Sequence, residues 1–384
     1  MRFLHISDTH LGYRQYGLLA REGDFWDVFD EAVEIAIDKK VDFILHSGDF
    51  FHTSRPSNET LLKAIDAVKR LKDNNIPIFS ISGNHDRGSG TKDKSPLAIL
   101  ESVGLQLLDD RKYISFDGIG IGGIKYLSRA SLRKVDFREL LEKLANHMKE
   151  DYKILLLHQE FIPYFPESDL DLSNHIPEAF NYVGIGHYHI STEPIKRNNS
   201  TILHIGSTEF TAYNPKEEQT PKRVALVETD GKDTTVNFIN LSRVRPFIFE
   251  DINEEDLDTS INNILSKLEN ISNGKKPVLI LKGILRKTTI SDILLYIESK
   301  LNIEEFLIIR PNFSFVIENE EEDININSLT EREDFIKGKL KELIGDENLF
   351  NDIYSIIESL KTEEDTNRIK EEIKRIDFRK LLEI

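Results

Sequence analysis

Side chains that bind metal ions follow five apolar segments of this sequence, each at the point where the segment ends. They are Asp8 and His10 in ISDTHLG, Asp49 in LHSGDFFH, Asn84 and His85 in SGNHD, His158 in LLLHQE, and His187 and His189 in GIGHYH. Ligands of α/β sheets gather at the carboxyl ends of the strands, so these side chains are expected to converge. Because the chain contains no cysteine, nitrogen and oxygen atoms must hold any metal ion there. The pattern predicts a metal centre.

Each of these motifs is weak when it is taken alone. A single histidine in an apolar segment is more often a structural residue than a ligand. We expect His5, His46 and His204 to be structural, because they lie inside predicted strands rather than at strand ends. The repetition of one placement in five segments is what favours a joint site.

Strands and helices alternate in the first part of the chain. RFLHIS, VDFILHSGD and IPIFSIS are predicted strands, and apolar residues at helical spacing predict helices over 25–39 and 57–72 between them. This alternation predicts parallel strands joined by right-handed crossovers. From about residue 105 onward the segments are mostly strands, with one helix over 137–148. The predicted fold class is α/β (α+β), a two-sheet β-sandwich flanked by helices.

Three domains are predicted along the chain. The sandwich takes residues 1–245, and residues 246–320 form a small α+β cap of alternating strands and helices. The acidic run ENEEED at 318–323 is typical of a linker. Residues 321–384 complete the chain with amphipathic helices, whose apolar surface can pack on the same chain or on a partner.

The composition limits the class of protein. The chain has 384 residues, of which 39% are hydrophobic and 30% charged, as is typical of a globular protein. No apolar run approaches the roughly 20 residues that cross a bilayer, and MRFLHISDTH lacks the pattern of a signal peptide. We expect a cytoplasmic protein without membrane contact. The net charge of -17 argues against unspecific DNA binding, although a local basic rim or a bound cation can still accept an anionic substrate.

The motifs DxH, GD, GNHD, a lone histidine after an apolar strand, and GHxH together resemble the calcineurin-like metallophosphoesterases, over about residues 1–241. The resemblance implies two divalent metal ions, with Mn²⁺ as the usual ion of DNA-cleaving members. It implies that Asp8, His10 and His189 hold one ion and that Asn84, His158 and His187 hold the other, with Asp49 bridging both. Two such ions activate water and offset charge during in-line phosphodiester hydrolysis.

His85 has no ligand role in this scheme. Because it follows Asn84 directly, it is expected to face the phosphate, stabilise the transition state and protonate the leaving oxygen. Asp86, the next residue, is expected to orient the ring of His85.

The stretch GDFFHTSRPS, together with the opening MRFLHISDTHLG, resembles the DNA double-strand-break repair nucleases of the SbcD or Mre type. The resemblance implies a 3′-to-5′ double-strand exonuclease and single-strand endonuclease, with His52 as a second catalytic histidine and a cap that binds DNA. It implies a homodimer formed by the helices over 57–72 and 96–103, with Leu61, Leu62, Ile65 and Val68 at the contact. Deeper burial of the helix over 57–72 within one chain is the alternative. It also implies that the C-terminal helices bind an SMC-like coiled-coil repair ATPase.

Several loop residues beside the predicted site are candidates for binding DNA: Tyr13, Arg14, Tyr16, Arg55 and Lys92. Tyrosines can stack on bases and cations can bind phosphates. Ordinary solvated surface charge is the alternative for each cation.

Two other functions remain open. A phosphoesterase of nucleotides or other small phosphodiesters would share every metal ligand, and the acidic net charge favours it. A scaffold subunit that bridges DNA ends, with cleavage secondary, is the other alternative. The complete ligand set speaks against an inactive site.

Overall fold

The computed structural model of the chain describes residues 1–88, 94–109, 113–212 and 215–315, and the single positions Lys337, Lys341, Phe350, Asn351 and Tyr354. The chain divides into two compact units, Met1–Val316 and Ile317–Ile384. The predicted helical segment 321–384 lies outside the described residues apart from those five positions, which are helical. The rings of Phe350 and Tyr354 are stacked there, with centroids 5.6 Å apart.

The strands of the first unit are numbered in chain order. They are β1 (Arg2–Ile6), β2 (Phe43–His46), β3 (Ile78–Ser80), β4 (Gln106–Leu107), β5 (Ile114–Phe116), β6 (Ile119–Ile124), β7 (Tyr152–His158), β8 (Tyr182–Gly186), β9 (Ile195–Arg197), β10 (Ser200–His204), β11 (Arg223–Thr229), β12 (Thr234–Asn240), β13 (Phe247–Asp251), β14 (Val278–Leu285) and β15 (Ile308–Phe315).

The helices are α1 (Leu19–Asp38), α2 (Asn58–Asp73), α3 (Leu97–Glu101), α4 (Arg129–Leu132), α5 (Phe137–His147), α6 (Leu172–His175), α7 (Pro215–Glu218), α8 (Leu257–Glu269) and α9 (Ile290–Lys300). Short 3-10 helices span Gln15–Gly17 and Ile303–Glu305. Within the described residues, none of these helices combines the length and apolar character that a membrane span needs.

Two six-stranded sheets form the body of the fold. The first has the strand order β12-β11-β1-β2-β3-β4, in which β1 to β4 are parallel. The second has the order β5-β6-β7-β8-β10-β9, in which β6, β7, β8 and β10 are parallel. The predicted sandwich and its parallel strands are therefore confirmed.

Apolar side chains fill the space between the two sheets. Phe3, Phe43 and Phe79 of the first sheet belong to one buried cluster with Ile154 and Tyr182 of the second. The outer faces are covered as well, by α1 and α2 on the first sheet and by α5 on the second. Parallel strands that are buried on both faces need such helix layers, which explains the continuous apolar runs in the sequence.

A third sheet, β13-β14-β15, is parallel and lies at 247–315. Side chains of α8 and α9, among them Ile264 and Ile297, pack with Leu279 and Leu281 of β14 in a separate buried cluster. Thr289 and Asp292 form a capping box at the start of α9. The division of residues 1–320 into a sandwich and a cap stays a prediction.

The first helix begins earlier than its apolar pattern predicts, at Leu19 rather than near residue 25. Its first turns bury Arg21 and Asp24, which form an ion pair at 2.6 Å. Apolar spacing cannot reveal a buried face that is built from paired charges. The start of α2 agrees with its prediction, because Ser57 accepts a hydrogen bond from the backbone N–H of Thr60 at 3.1 Å.

The predicted dimer surface on α2 needs a correction. Val68 is 1% exposed and packs in the core beneath the helix, so it cannot form part of a surface in this fold. Leu61 and Ile65 are partly buried against the same core, whereas Leu62 is 62% exposed. The predicted partner helix is shorter than expected, since α3 spans only Leu97–Glu101. Ile99 on α3 is also exposed.

Candidate metal centre

The ends of five parallel strands bring the seven predicted ligands to one place. Asp8 and His10 follow β1, Asp49 follows β2, and Asn84 follows β3 in the first sheet. His158 ends β7, and His187 and His189 follow β8 in the second sheet. Both sheets therefore contribute side chains to the same edge of the sandwich, as the rule for α/β sheets predicts.

One cluster contains Asp8, His10, Asp49 and His189, whose ligand atoms all lie within 4.8 Å of one another. Nε2 of His10 lies 3.2 Å from Nε2 of His189, and Nε2 of His189 lies 3.6 Å from Oδ1 of Asp8. When neither nitrogen carries a proton, the two imidazoles direct their lone pairs at the space between them. That arrangement suits a shared cation.

A second cluster contains Asp49, His158 and His187, again with ligand atoms within 4.8 Å of one another. Oδ1 of Asn84 joins it, 3.0 Å from Nε2 of His158 and 2.9 Å from Nδ1 of His187. Carboxylate, amide and imidazole donors therefore meet at one point.

Asp49 lies between the two clusters. Its Oδ2 atom is 3.8 Å from Nε2 of His10 and 3.4 Å from Nε2 of His158. This oxygen is buried and has no hydrogen-bond partner within the described residues, while Oδ1 accepts a hydrogen bond from the backbone N–H of His85 at 2.9 Å. A buried carboxylate oxygen without a partner is costly unless a cation binds it. The residues present therefore fit two divalent ions with a bridging carboxylate.

Burial controls the charge of most of these imidazoles. It lowers the pKa of His187 to about 4 and that of His189 to about 3. Burial also opposes the charged form of His158, but the charge of Asp49 outweighs it and raises the pKa of His158 to about 9. In Asp49, burial is likewise outweighed, and His158 holds the pKa of this carboxyl well below its usual range. His187 and His189 are therefore neutral, whereas His158 carries a proton that a bound metal ion would displace.

Backbone strain marks the same residues. Asp8, His10, Asp49 and His187 have φ angles of 50°, 43°, 54° and 79°. This left-handed region is uncommon for residues other than glycine and costs free energy unless the surroundings enforce it. Four of the predicted ligands thus adopt a backbone conformation that lowers local stability, and the geometry of the site accounts for it.

The arrangement can be compared with known proteins. Residues 1–191, which contain every predicted ligand, match the family model of the calcineurin-like phosphoesterases. The DNA double-strand break repair protein Mre11 of Sulfolobus acidocaldarius is 34% identical over 289 residues, 73% of this chain and 74% of that protein. The Mre11 protein of Methanococcus maripaludis is 32% identical over 370 residues, 90% of this chain and 95% of that protein. The Mre11 protein of Methanocaldococcus jannaschii is 36% identical over 287 residues, which are 72% of this chain and 75% of that protein.

The chain belongs to the Mre11 family of calcineurin-like phosphoesterases. Membership makes it a metal-dependent hydrolase of phosphoester bonds, as the motifs predict. When bound, two divalent cations would supply Lewis-acid chemistry to a phosphate and to a water molecule. Asp8, His10 and His189 would hold one of them and Asn84, His158 and His187 the other, with Asp49 common to both.

His85 and His52 lie beside the first cluster of this Mre11-family site. The ring of His85 contacts the ring of His10 edge-on, with centroids 4.9 Å apart. Nδ1 of His85 donates to the backbone carbonyl of His52 at 3.0 Å, and Nε2 has no hydrogen-bond partner among the described residues. The rings of His52 and His85 are stacked with centroids 4.9 Å apart, and the ring of Tyr13 stacks on the other face of His52 at 3.7 Å. The catalytic roles of both histidines stay predictions.

The expected role of Asp86 is wrong. Its carboxylate does not meet the ring of His85 but accepts hydrogen bonds from three backbone N–H groups, of Phe50 at 2.6 Å, Phe51 at 3.2 Å and Gly83 at 2.7 Å. Asp86 is completely buried. It fastens the loop after β2 to the loop after β3, and so fixes Asp49 and Asn84 relative to each other.

The predicted DNA-binding residues differ in their surroundings. Arg14 is exposed but already pairs with Glu22 at 3.0 Å, and Arg55 is exposed on the loop after β2. Tyr16 packs with a cluster that includes Phe210 and Phe247, and Arg310 of β15 lies over its ring. Lys92 lies outside the described residues.

The sequence did not predict the residues that contact the second ring nitrogen of each ligand imidazole. Thr211 bonds Nδ1 of His189, and the carbonyl oxygen of Ser47 accepts from Nδ1 of His158 at 2.8 Å. Glu160, two residues after His158, lies beside His187. Its position in LLLHQE is a usable signal, whereas nothing in the sequence points to Thr211. His5 and His46 are structural as predicted, since both bond buried hydroxyl groups.

Proposed function

We propose that this chain is a manganese-dependent nuclease that acts in the repair of DNA double-strand breaks, with 3′-to-5′ double-strand exonuclease and single-strand endonuclease activity. The observation that carries the proposal concerns Oδ2 of Asp49. This atom lies between two clusters of metal-binding side chains and has no hydrogen-bond partner in the described part of the chain. Relatives of more than 30% identity that are named for double-strand break repair support the choice of DNA as substrate.

The proposed chemistry assigns separate tasks to the residues around Asp49. Asp8 is tied to the second sheet because both of its carboxylate oxygens accept from the backbone N–H of His187 at 3.1 Å. This bond keeps the two ligand clusters at a fixed separation. Within the described part of the chain, Nε2 of His85 has no hydrogen-bond partner and the ring lies beside His10, so we assign His85 to the phosphate and to the leaving oxygen. No protein nucleophile is required.

The donor set supports manganese. Four of the seven ligands are imidazoles, and magnesium and calcium prefer shells made only of oxygen. We therefore expect chelation to abolish activity and manganese to restore it. Recovery with calcium alone would contradict the proposed ligand set.

The proposed assembly is a homodimer that also binds an SMC-like coiled-coil ATPase. Exposed apolar side chains on α2 and α3, namely Leu62 and Ile99, support the dimer. The ATPase contact is assigned to the C-terminal segment 321–384, which lies outside the described residues apart from five positions. A chain truncated after residue 322 should keep its nuclease activity and lose the ATPase in co-purification.

A phosphoesterase of small substrates is the second candidate, and the net charge of -17 favours it. One assay separates the two functions. The protein is incubated with manganese and either a labelled linear duplex or a set of nucleotides and cyclic nucleotides. Digestion of the duplex from its 3′ ends supports the nuclease, whereas turnover of the nucleotides alone would contradict it.

A further inference from the structure

The loop after β7 carries a carboxylate, Glu160, that the proposed metal ligands do not include. Its Oε1 atom lies 3.5 Å from Nε2 of His187. Nδ1 of the same ring lies 2.9 Å from Oδ1 of Asn84. The imidazole thus turns one nitrogen toward the ligand cluster and the other toward Glu160. We propose that Glu160 is a positioning residue for the metal ion that Asn84, His158 and His187 hold, an inference that rests on the proposed two-ion centre.

The structure holds Glu160 in place from several directions. Nη2 of Arg129 donates to its Oε2 atom at 3.1 Å, and Oγ of Ser168 donates to its backbone carbonyl at 2.9 Å. The neighbouring Gln159 side chain accepts from the backbone N–H of Leu127 at 3.1 Å and donates to the Leu127 carbonyl at 3.0 Å. The loop of Glu160 is therefore fastened to the segment that begins α4.

The ring of His187 is also restrained on its faces. Phe165 stacks on it with centroids 5.3 Å apart and planes at 30°. Tyr126 contacts it at 5.8 Å. With the ring plane set by these aromatic groups, Nε2 faces Glu160, so that the ring proton would lie on the nitrogen beside the carboxylate once a cation takes Nδ1.

The chemical effect follows from the charge of the partner. A carboxylate that accepts the N–H of a metal-binding imidazole fixes the tautomer and makes the other nitrogen a stronger ligand. The partners of His158 and His189, a backbone carbonyl and a hydroxyl group, are neutral. Glu160 should therefore raise the affinity for the ion held with His187 and leave the other ion unaffected.

The test measures metal binding without substrate. Metal-free wild type and Glu160→Gln are titrated with Mn²⁺ by calorimetry, and electron paramagnetic resonance follows the spin-coupled signal of a pair of ions. We expect Glu160→Gln to weaken one of two binding events about tenfold or more and to delay the coupled signal to higher Mn²⁺. Glu142→Gln is the matched control, since that carboxylate forms a similar surface pair with Arg138 at 2.9 Å. Its titration should match wild type.

Two further variants make the assignment specific. Thr211→Val removes the partner of His189 and should weaken the other binding event. Arg129→Gln releases Glu160 without altering it, so it should weaken the same event as Glu160→Gln to a smaller extent, and it tests the inference even if Glu160→Gln fails to fold.

Unchanged affinity in Glu160→Gln, or in Arg129→Gln where only that variant folds, would overturn the inference. An equal loss of both binding events in Glu160→Gln would also overturn it. Wild type that binds no Mn²⁺ would overturn the metal centre itself, a different result.

Discussion

Asp24 in α1 and Arg245, just before β13, form a buried bidentate ion pair. Nη2 of Arg245 donates to Oδ1 of Asp24 at 2.9 Å, and Nε donates to Oδ2. The same carboxylate accepts from Arg21 at 2.6 Å and from Lys275 at 3.0 Å. Residues that are 221 positions apart are thereby fixed to each other. Charged groups therefore connect the first helix to the entry of the third sheet.

The stability of the protein should depend on Asp24 and on pH. Burial alone would raise the pKa of Asp24, but the hydrogen bond from Arg245 and the charges of Arg21 and Lys275 hold it below the ordinary value. The stabilisation is therefore fully present above the unfolded-state pKa of about 3.9 and is lost as the pH falls through the lower folded-state value. Asp24→Asn should reduce the free energy of unfolding by about 3 kcal/mol at pH 7, and the difference from wild type should shrink below about pH 4.

Asp27→Asn is the matched control for this measurement. Asp27 lies on the same helix and binds the same Lys275 at 2.7 Å, but its side chain is half exposed. An exposed pair contributes about 1 kcal/mol or less. Urea denaturation of the three proteins at several pH values compares them. Equal effects of the two substitutions at pH 7 would contradict the role of the buried pair.

Gly83 should be intolerant of any side chain because of its distance from Asp49. A Cβ atom on Gly83 would lie 2.1 Å from Oδ1 of Asp49 and 2.5 Å from its backbone nitrogen. Gly83→Ala must therefore displace the bridging carboxylate, at a cost of about 1 to 3 kcal/mol. We expect the variant to lose Mn²⁺ binding and phosphodiesterase activity while it keeps its circular dichroism spectrum.

Gly23→Ala provides the contrast. Apart from its chain neighbours and the backbone of its own helix, no atom of the described residues lies within 4 Å of a Cβ at this position in α1. Alanine favours a helix by roughly 0.5 to 1 kcal/mol over glycine. The substitution should raise the melting temperature and leave metal binding unchanged. Full manganese binding by Gly83→Ala would show that Asp49 can move without loss of the site.

The sequence predicts the metal centre better than the groups around it. Asp8, His10 and Asp49 could be found because their types repeat at the ends of apolar strands, and parallel topology brings such ends together. The role of Asp86 could not be found in this way, since its partners are backbone N–H groups on two other loops. Contacts of that kind depend on how the loops pack against each other, and the type and spacing of residues do not reveal this packing.

The same limit applies to the helices. The apolar spacing of α2 predicted its extent well. Apolar spacing did not predict the start of α1, because Arg21 in the first turns is buried through its ion pair with Asp24 and not because it is apolar. The family resemblance also implied one dimer surface that includes Val68 and Leu62, although one side chain faces the core and the other solvent. A pattern of apolar residues shows that a helix packs, and the tertiary structure decides which side is covered.

His85 should be needed for cleavage and not for binding. Its ring lies next to the first ligand cluster without belonging to the predicted ligands, and none of the described residues bonds its Nε2 atom. His85→Ala should lower kcat for linear duplex DNA by about 100- to 10,000-fold, with Mn²⁺ and DNA affinities close to wild type. His147→Ala, on the exposed end of α5, is a control that should cleave normally. Unchanged cleavage by His85→Ala would remove the assignment.

Leu62 should support a dimer through its exposed side chain. Leu62→Asp places a charge on a face of α2 that the chain itself leaves 62% exposed, so the fold should be retained while self-association is lost. Leu295→Asp on α9 is the control, because Leu295 is 65% exposed and lies outside the proposed contact. Light scattering should report a monomer for Leu62→Asp and a dimer for wild type and Leu295→Asp. A dimer in all three proteins would place the contact elsewhere, whereas a monomeric Leu295→Asp with a dimeric Leu62→Asp would move it to α9.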